Sequence, residues 1–329
     1  MNPLINPGRS QRGAALLIVL LLAATLSFVA LASMEKTTLA AARTMNVQSR
    51  GEAIWRGFAT EALAVAAIER AYSENNGQIS LDDPWASEPL VVPFEEGAAR
   101  IAFVDASLCF NINSLRQVTD NPLEAPAIQE FIRLAGHLEF SEFEAAALAE
   151  TIADWVDDDA SRRPQGAEDE YYTVLPSPYR TANQPAASVS EIRAVKGVTR
   201  FAYHTLKPYL CASPDDEPNE LNVNMLSERH APVLAAALGP EATLQSAIDI
   251  IAARPVGGYE NTAAFLANPL IEALGPPADA GERFTLVSKR LKARAEIIYD
   301  TAVVEVTTDL AVDDTGAARV LSRRIGAEE

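Results

Sequence analysis

The sequence predicts an α+β protein in which a long N-terminal helix and an antiparallel sheet are interrupted by a large inserted α-helical domain. An uncharged, apolar run over residues 14–34 continues into an amphipathic helical pattern. β character follows near residues 100–112 and returns from residue 284. Between these portions, residues 122–277 read as helices separated by turns. Because this block is too long to be a loop, we expect a domain inserted into a sheet-forming one.

Composition limits the functions open to the chain. It has 329 residues, 48% of them hydrophobic, and 27 Lys and Arg against 45 Asp and Glu, which gives a net charge of −18. This is a globular rather than a disordered composition. The acidic balance argues against nucleic acid as a partner, because phosphate binding relies on basic side chains. Three widely separated histidines match no metal-ligand spacing, and two cysteines are too few for a disulfide scaffold, so nothing at this level indicates an enzyme.

The N-terminal apolar run is long enough to cross a bilayer as one helix. A helix over residues 14–34 spans roughly 30 Å, the thickness of the hydrocarbon core. Arg9 and Arg12 precede the run. The positive-inside rule therefore places residues 1–13 in the cytoplasm as a leader and the large C-terminal part on the other side of the membrane.

Three interpretations of this N-terminus compete. A signal peptide has a shorter apolar stretch, and residues 30–32 match its cleavage site only weakly. A plain membrane anchor is the second. The third rests on a basic leader that ends in Gly13 and directly abuts the apolar run, which resembles the prepilin peptidase site of type IV pilins and type II secretion pseudopilins. That resemblance implies cleavage by prepilin peptidase between Gly13 and Ala14; from these residues alone, anchor and pilin-like leader both stay open.

One departure from the usual pilin pattern is informative. Most pilin-like proteins carry Glu as the fifth residue of the mature chain, whereas this sequence has Ile18 there. A carboxylate inside a membrane is costly and needs a partner, and in these families it meets the N-terminal amine of the neighbouring subunit. Its absence is typical of the K-type minor pseudopilins.

Helical spacing continues past the membrane to a stop at residues 75–77, where Gly77 suits the left-handed residue after a helix. We expect residues 35–121 to form the first part of a sheet-bearing domain and residues 278–329 to complete it with strands. A hairpin turn is predicted at residues 313–316. The apolar positions expected to pack this helix on its sheet are Ile54, Phe58, Val65, Ile68 and Tyr72.

The predicted insertion, residues 122–277, contains a short internal echo. Residues 110–115 resemble residues 221–226, each with an Asn-x-Asn segment before a helical stretch. Asn caps helices by accepting hydrogen bonds from free backbone N–H groups, so we expect two related helix-hairpin-like units. Similar modules often bind DNA through glycine-rich hairpins, but these hairpins lack paired glycines and lie in acidic surroundings. We interpret them as structural helix pairs.

The densest acidic region is a candidate calcium site. Residues 154–159 lie at the end of a helix predicted over residues 142–156, and residues 168–170 follow a turn at Gly166. Calcium accepts irregular shells of oxygen ligands, and the spacing is not that of an EF-hand. One alternative is a solvated acidic loop partly neutralised by neighbouring arginines. The other is a pair of catalytic carboxylates, although no nucleophile or phosphate loop accompanies them. The candidate calcium ligands are Asp157, Asp159, Glu168 and Asp169.

Cys109 and Cys211 are the two cysteines of the chain. Cys109 enters the helical block and Cys211 lies near its middle. Outside the cytoplasm such a pair can be oxidised, and a disulfide closing a loop of this size would stabilise by roughly 4–5 kcal/mol in the chain-entropy model. Two buried free thiols are the alternative.

Taken in order, several segments closely resemble the K-type minor pseudopilins of type II secretion (the GspK family) over nearly the whole chain. The resemblance implies a pilin-like domain interrupted by a large helical one, and a non-enzymatic cap that initiates pseudopilus assembly with I-type and J-type minor pseudopilins. It also implies calcium binding and a single pass through the inner membrane, with the main domain in the periplasm. The matching segments are residues 110–115, 154–159, 166–169, 178–183, 191–197 and 221–224, with Tyr172.

Two functions of other classes remain as alternatives. One is a membrane-anchored hydrolase that uses the acidic loop, whose activity would require Asp157 and Glu168 but no partner protein. The other is a component of DNA uptake that uses the two helix-hairpin-like units. Salt-dependent DNA binding would favour that second alternative.

Overall fold

The computed structural model describes residues 10–75, 77–116, 125–275 and 280–326. Residues 1–9 of the predicted leader lie outside the described residues. The domain borders predicted at residues 121–122 and 277–278 also lie outside them. The α+β fold is confirmed: a long N-terminal helix, an antiparallel sheet and an inserted helical part.

The first helix, α1 (Ser10–Glu74), runs unbroken for 65 residues. Its large apolar side chains from Leu16 to Met34 are all exposed. A helix that is apolar on every side has no face for water, and this one is long and apolar enough to cross a membrane. The helix stops where predicted, with Gly77 at φ 79° donating its N–H to the carbonyl of Tyr72 at 2.8 Å.

The remaining elements follow in chain order. The helices are α2 (Pro84–Ser87), α3 (Pro126–His137), α4 (Glu142–Val156), α5 (Asp169–Tyr172), α6 (Arg200–Leu206), α7 (Ala231–Leu238), α8 (Leu244–Ala252), α9 (Thr262–Leu266) and α10 (Pro269–Glu272). The strands are β1 (Leu90–Phe94), β2 (Gly97–Asp105), β3 (Phe110–Asn111), β4 (Leu210–Cys211), β5 (Leu221–Asn222), β6 (Phe284–Thr285), β7 (Arg290–Tyr299), β8 (Ala302–Val312) and β9 (Ala318–Ile325).

Five strands form one antiparallel sheet in the order β1-β2-β7-β8-β9. The central pairing of β2 with β7, in which Ile101 lies opposite Ala295, joins the two ends of the chain around the insertion. Alternate residues of β2 and β7 are buried, as expected of a sheet covered on one side. One detail differs from the predicted C-terminal strands: β6 (Phe284–Thr285) is not part of this sheet, because it pairs with β5 instead.

The face of α1 that packs on the sheet differs in part from the predicted one. The buried line consists mainly of small residues, among them Ala53, Gly57 and Ala64. At Gly57 a Cβ would lie 3.0 Å from Cγ2 of Val306, so the helix approaches the sheet closely. Ile68 and Tyr72 are buried as predicted. The other three predicted positions are half-buried at the edge of this contact: Ile54, Phe58 and Val65.

The helical part consists of two units with the same plan. The first is closed by the parallel pair β3 and β4, and the second by the parallel pair β5 and β6. In each unit the second Asn of the Asn-x-Asn segment pairs with one backbone residue through both amide atoms. Asn113 pairs in this way with Ala186, at 3.0 and 2.8 Å, and Asn224 with Tyr259, at 3.0 and 2.7 Å. These asparagines therefore clamp two distant segments rather than only capping a helix.

Polar contacts attach the second unit to the end of α1 and to the sheet. Nδ2 of Asn222 donates to the carbonyls of Ile79, at 3.2 Å, and Leu286, at 3.1 Å. It also donates to Oγ of Ser288 at 2.9 Å, and that hydroxyl donates to the buried carboxylate of Asp105. The inserted units consequently sit at the C-terminal end of α1, away from its apolar N-terminal part.

Candidate functional site: the acidic loop

Helix α4 delivers the first carboxylates of the loop. It begins with a reciprocal capping box between Ser141 and Glu144 and ends at Val156, with Asp157 as its C-cap. Asp154 and Asp157 are three residues apart and therefore lie on one face of the helix end. Both are buried, at 0% and 1% exposure. Burial of a carboxylate is unfavourable unless it is paired.

Arg163 supplies that pairing. Its Nη1 lies 2.7 Å from Oδ1 of Asp154 and 2.5 Å from Oδ2 of Asp157. The backbone N–H of Arg163 also donates to Asp154. Burial raises the pKa of Asp154 to about 6, although the guanidinium acts in the opposite direction. One cationic group thus bridges both buried carboxylates.

Glu168 is the least satisfied carboxylate of the loop. It is 3% exposed, and neither of its oxygens has a hydrogen-bond partner. Burial raises the pKa of Glu168 to about 7; nearby Thr181 acts in the opposite direction, while the charges of Asp154, Asp157 and Asp159 raise it further. A carboxylate in this environment is stable either in its protonated form or when a cation neutralises it.

Two further oxygens in the loop are buried without a partner: Oδ1 of Asp157 and Oδ1 of Asn183. The amide nitrogen of Asn183 donates to the backbone carbonyl of Asp159 at 3.1 Å, which places this residue beside the loop. At Gly166 a Cβ would lie 1.9 Å from Oδ2 of Asp154, so only glycine lets the chain turn past the helix end. Buried oxygens without a hydrogen-bond partner therefore occur both before and after the turn at Gly166.

The remaining two predicted ligands are engaged elsewhere in this structure. Oδ1 of Asp169 accepts from the backbone N–H of Thr181 at 2.9 Å, and its Oδ2 from Arg180 at 3.3 Å. Asp159 is exposed, and its Oδ1 accepts from the backbone N–H of Ser161 at 2.6 Å. Within the described ranges, no three acidic, histidine or cysteine side chains are arranged to hold a metal ion. Part of the reason is that Arg163 occupies the position between Asp154 and Asp157.

Aromatic rings pack together beside the loop. The rings of Trp155 and Tyr172 meet edge to face at 5.4 Å, and Tyr179 lies 5.1 Å from Tyr172. The hydroxyl of Tyr172 accepts from the backbone N–H of Lys196 at 3.1 Å. These contacts join the segments before and after the loop, so its ends are fixed.

Sequence reasoning missed three contributors to this site. Asp154 lies one turn before Asp157 on the same helix face, and that spacing was available as a signal. Arg163 is one of the arginines expected to neutralise a solvated loop, because nothing in its local sequence indicates that it is buried. Asn183 lies 26 residues after Asp157 in the sequence, and only the fold brings it close to the acidic loop.

The structure joins Cys109 and Cys211 by a disulfide with their Cα atoms 5.7 Å apart. The bond ties β3 to β4 and so closes the first unit. The amide of Asn219 donates to the carbonyl of Cys109 at 3.2 Å, which fixes the next segment against the same strand. Gly13 and Ala14, the predicted processing site, lie within α1 near its start.

Two family models, each described as type II secretion system (T2SS) protein K, match residues 108–215 and 221–286. These ranges coincide with the two structural units. A type II secretion system protein K from Klebsiella pneumoniae is 36% identical over 265 residues, covering 80% of this chain and 81% of that protein. Its counterpart from Pectobacterium carotovorum subsp. carotovorum is 35% identical over 253 residues, covering 76% and 77%.

A solved structure is similar across most of the fold. It is a chain of the GspK–GspI–GspJ complex from the type II secretion system of enterotoxigenic Escherichia coli. The TM-score is 0.76 at 27% identity, with 87% of this chain and 100% of that chain covered. On the matched ranges, the identity and this likeness, the chain belongs to the type II secretion system protein K family.

Proposed function

We propose that this chain is the minor pseudopilin that caps the tip of the type II secretion pseudopilus and helps to initiate its assembly with I-type and J-type minor pseudopilins. The position of the inserted units carries the proposal. Leu81, just past α1, donates its N–H to the carbonyl of Asn224 at 3.1 Å, so the second unit is attached at the end of α1 opposite the membrane segment. A bulky domain there obstructs the addition of another subunit above it.

The membrane segment supports the same placement. Without a carboxylate at position 18, α1 cannot form the intramembrane contact with the amine of a neighbouring subunit that shaft pilins use. A subunit that lacks this contact suits the first position of a filament rather than a repeated one. The solved relative was crystallised with I and J subunits, which supports those two as partners.

Targeting follows from the leader. Prepilin peptidase cuts between Gly13 and Ala14, the mature helix stays in the inner membrane, and the large domain lies in the periplasm. Removal of Arg9 and Arg12 changes the net charge from −18 to −20. N-terminal sequencing of the protein from a host with prepilin peptidase should begin at Ala14. An intact Met1, or a cut near Ala32, would contradict processing of the pilin type.

Calcium is the cofactor that fits the acidic loop best. The orphaned oxygens of Glu168, Asp157 and Asn183 are hard ligands of the kind calcium selects. Asp159 and Asp169, the other two predicted ligands, would have to exchange their hydrogen bonds to Ser161 and Thr181 for the ion. Bound calcium would neutralise the crowded carboxylates and hold the loop closed. The role is structural, and we propose no catalytic step.

The direct test of the tip-cap proposal is assembly of the full chain with purified I-type and J-type subunits in detergent. Co-elution of all three by size exclusion supports it, and the absence of a complex at micromolar concentration contradicts it. Ile18→Glu should still allow the ternary complex to form, because the substitution lies within the membrane segment. It should disturb placement at the tip, read as displaced initiation of the filament in cells.

A further inference from the structure

The first helical unit carries a groove flanked by aromatic side chains. The groove has a volume of about 370 Å³ and lies between the N-terminal ends of α4 and α6. Ala147, Leu148 and Ala202 form an apolar part of its lining. The aromatic side chains that flank it are Phe140, Phe143 and Phe201.

Two of these aromatic residues are exposed against expectation. Phe143 is 73% exposed and Phe201 is 71% exposed. Each is the second residue of its helix. The ring centroid of Phe201 lies 6.2 Å from that of half-buried Phe140. Large exposed aromatic side chains around a concave apolar surface are typical of interaction sites.

The second unit serves as an internal comparison. Helix α8 also begins with a capping box, formed by Thr243 and Ser246, and its second residue is Gln245 where α4 has Phe143. Helix α10, like α6, begins after a residue whose side chain caps a backbone N–H, and its second residue is Leu270 where α6 has Phe201. The common plan of the two units therefore does not require an aromatic ring at either position.

A third difference concerns the position of an exposed carboxylate. Helix α3 and its C-cap Leu138 are followed by Glu139 in the left-handed region at φ 68°, whereas α7 ends directly at Gly239 with φ 110°. A residue with a Cβ is disfavoured in that conformation, and glycine is the usual choice. The first unit thus holds an exposed carboxylate in the left-handed conformation, whereas the corresponding turn of the second unit uses glycine there and carries its exposed carboxylate at Glu241.

Three charged side chains line the groove: Glu139, Glu144 and Lys196. Glu144 is hydrogen-bonded to Ser141. Nζ of Lys196 donates to the carbonyls of Gln165 and Gly166 at 3.3 and 3.1 Å. These contacts leave Glu139 as the exposed charged group at this edge that can pair with a partner.

We propose that this groove binds a segment of a partner protein that presents a bulky apolar side chain next to lysine or arginine. The apolar lining and the phenylalanine rings receive the apolar side chain. The carboxylate of Glu139 pairs with the adjacent positive charge. A second copy of this chain is a poor occupant, because its net charge of −18 repels the acidic edge of the groove.

The test uses the full-length chain in lipid nanodiscs and three fluorescent peptides. The first peptide carries Phe between two lysines, the second Phe between two glutamates, and the third Ala between two lysines. Anisotropy titration should show the first peptide binding at least about tenfold more tightly than the other two. Equal affinity for all three peptides, or no binding of the first at millimolar concentration, would overturn the proposal.

Substitutions taken from the second unit separate binding from folding. Phe143→Gln and Phe201→Leu should each weaken the first peptide about tenfold at an unchanged melting temperature. Glu139→Gly should weaken it as well while leaving the melting temperature equal or higher, because the left-handed strain is removed. Gln245→Ala, in the second unit, is the matched control and should bind as the wild type does.

Two further results would reject this occupant. Wild-type affinity in Phe143→Gln would show that the peptide binds elsewhere. A concentration-dependent dimer in sedimentation that Phe143→Gln abolishes would assign the groove to a second copy instead. Neither outcome depends on assembly with I-type and J-type subunits, so failure here leaves the tip-cap proposal unaffected.

Discussion

Arg163 and Asp157 are joined by a buried ion pair of 2.5 Å between Nη1 and Oδ2. The same nitrogen reaches Asp154 at 2.7 Å, so the arginine performs in this loop the neutralising role that a cation would perform. The guanidinium of Arg163 and a bound metal ion could therefore each neutralise part of the negative charge of Asp154 and Asp157. Glu168, whose oxygens have no partner, is the carboxylate that the arginine leaves unneutralised.

Arg163→Met should destabilise the protein in chelator by about 3–5 kcal/mol, the usual cost of removing one partner from a buried ion pair. Millimolar calcium should restore most of this loss, because the cation replaces the missing positive charge. Thermal or denaturant unfolding of the full chain measures both quantities. Arg162→Met is the matched control: Arg162 is exposed, and its removal should change stability by no more than about 0.5 kcal/mol.

An identical loss with and without calcium would show that no cation reaches Asp154 and Asp157. If the stabilisation by calcium is lost only in the double variant Asp157→Ala/Glu168→Ala, the calcium site lies at those two carboxylates instead. These outcomes separate a loop held by arginine alone from one that also takes a metal.

Calcium-dependent stabilisation should increase as the pH rises. The pKa of Glu168 is raised from 4.5 to about 7, mainly by burial. Without metal, the folded state therefore holds a proton that the unfolded state releases. Its stabilising contribution is complete below pH 4.5 and is lost as the pH rises to about 7. Calcium must displace this proton, so its effect should be small near pH 5 and fully developed near pH 8.

The measurement is the difference in melting temperature between millimolar calcium and chelator across that pH range. At calcium concentrations of about 100 times Kd, the stabilisation at high pH should reach about 2.7 kcal/mol. Glu168→Gln removes the titrating group and should flatten the pH dependence. A difference that stays constant from pH 5 to pH 8 would exclude Glu168 as a ligand, and equal melting temperatures throughout would leave the loop as an acidic face without metal.

The fold was largely predictable because periodicity records which face of an element is buried. Helix α4 was predicted at the bounds that the structure has, and the strands of β7 and β8 were recognisable from alternation. The buried face of α1 was harder to predict from the sequence, since Gly57 and its small neighbours contribute little to a hydrophobic pattern. Close packing against Val306 selects small side chains there, which hydrophobic patterns do not reveal.

The site was predictable in place but not in geometry. A loop rich in carboxylates after a helix indicates a hard cation. Which of its oxygens lose their partners depends on tertiary contacts: Thr181 satisfies Asp169, whereas the fold buries Glu168 with none. The same limit applies to the Asn-x-Asn segments, whose repetition was visible while their partners Ala186 and Tyr259 were not.

Reduction of the disulfide should destabilise the first unit in particular. The bond between Cys109 and Cys211 spans 102 residues of chain. The chain-entropy model then predicts a loss of up to about 4–5 kcal/mol for Cys109→Ser/Cys211→Ser. Hydrogen exchange should show faster opening around β3 and β4 than around β5 and β6, which carry no such bond. Equal acceleration in both units would indicate that they unfold as one.

Asn113→Ala should destabilise the protein by about 2–4 kcal/mol because it orphans several buried backbone groups at once. Nδ2 of Asn113 donates to the carbonyls of Ala186 at 3.0 Å and Ser213 at 2.7 Å, while Oδ1 accepts from the N–H of Ala186 at 2.8 Å. Asp at this position keeps the acceptor and removes both donors. Asn113→Asp should therefore recover only part of the loss.

The corresponding change in the second unit, Asn224→Ala, removes a clamp with two hydrogen bonds to Tyr259. Its cost should be smaller than that of Asn113→Ala, since no third partner is orphaned. Asn46→Ala, on the exposed surface of α1, is the control and should leave stability unchanged. Denaturant unfolding of the full chain ranks the three variants. If Asn113→Ala and Asn46→Ala were equally mild, the paired amides would be incidental and the two units would be held by their apolar cores alone.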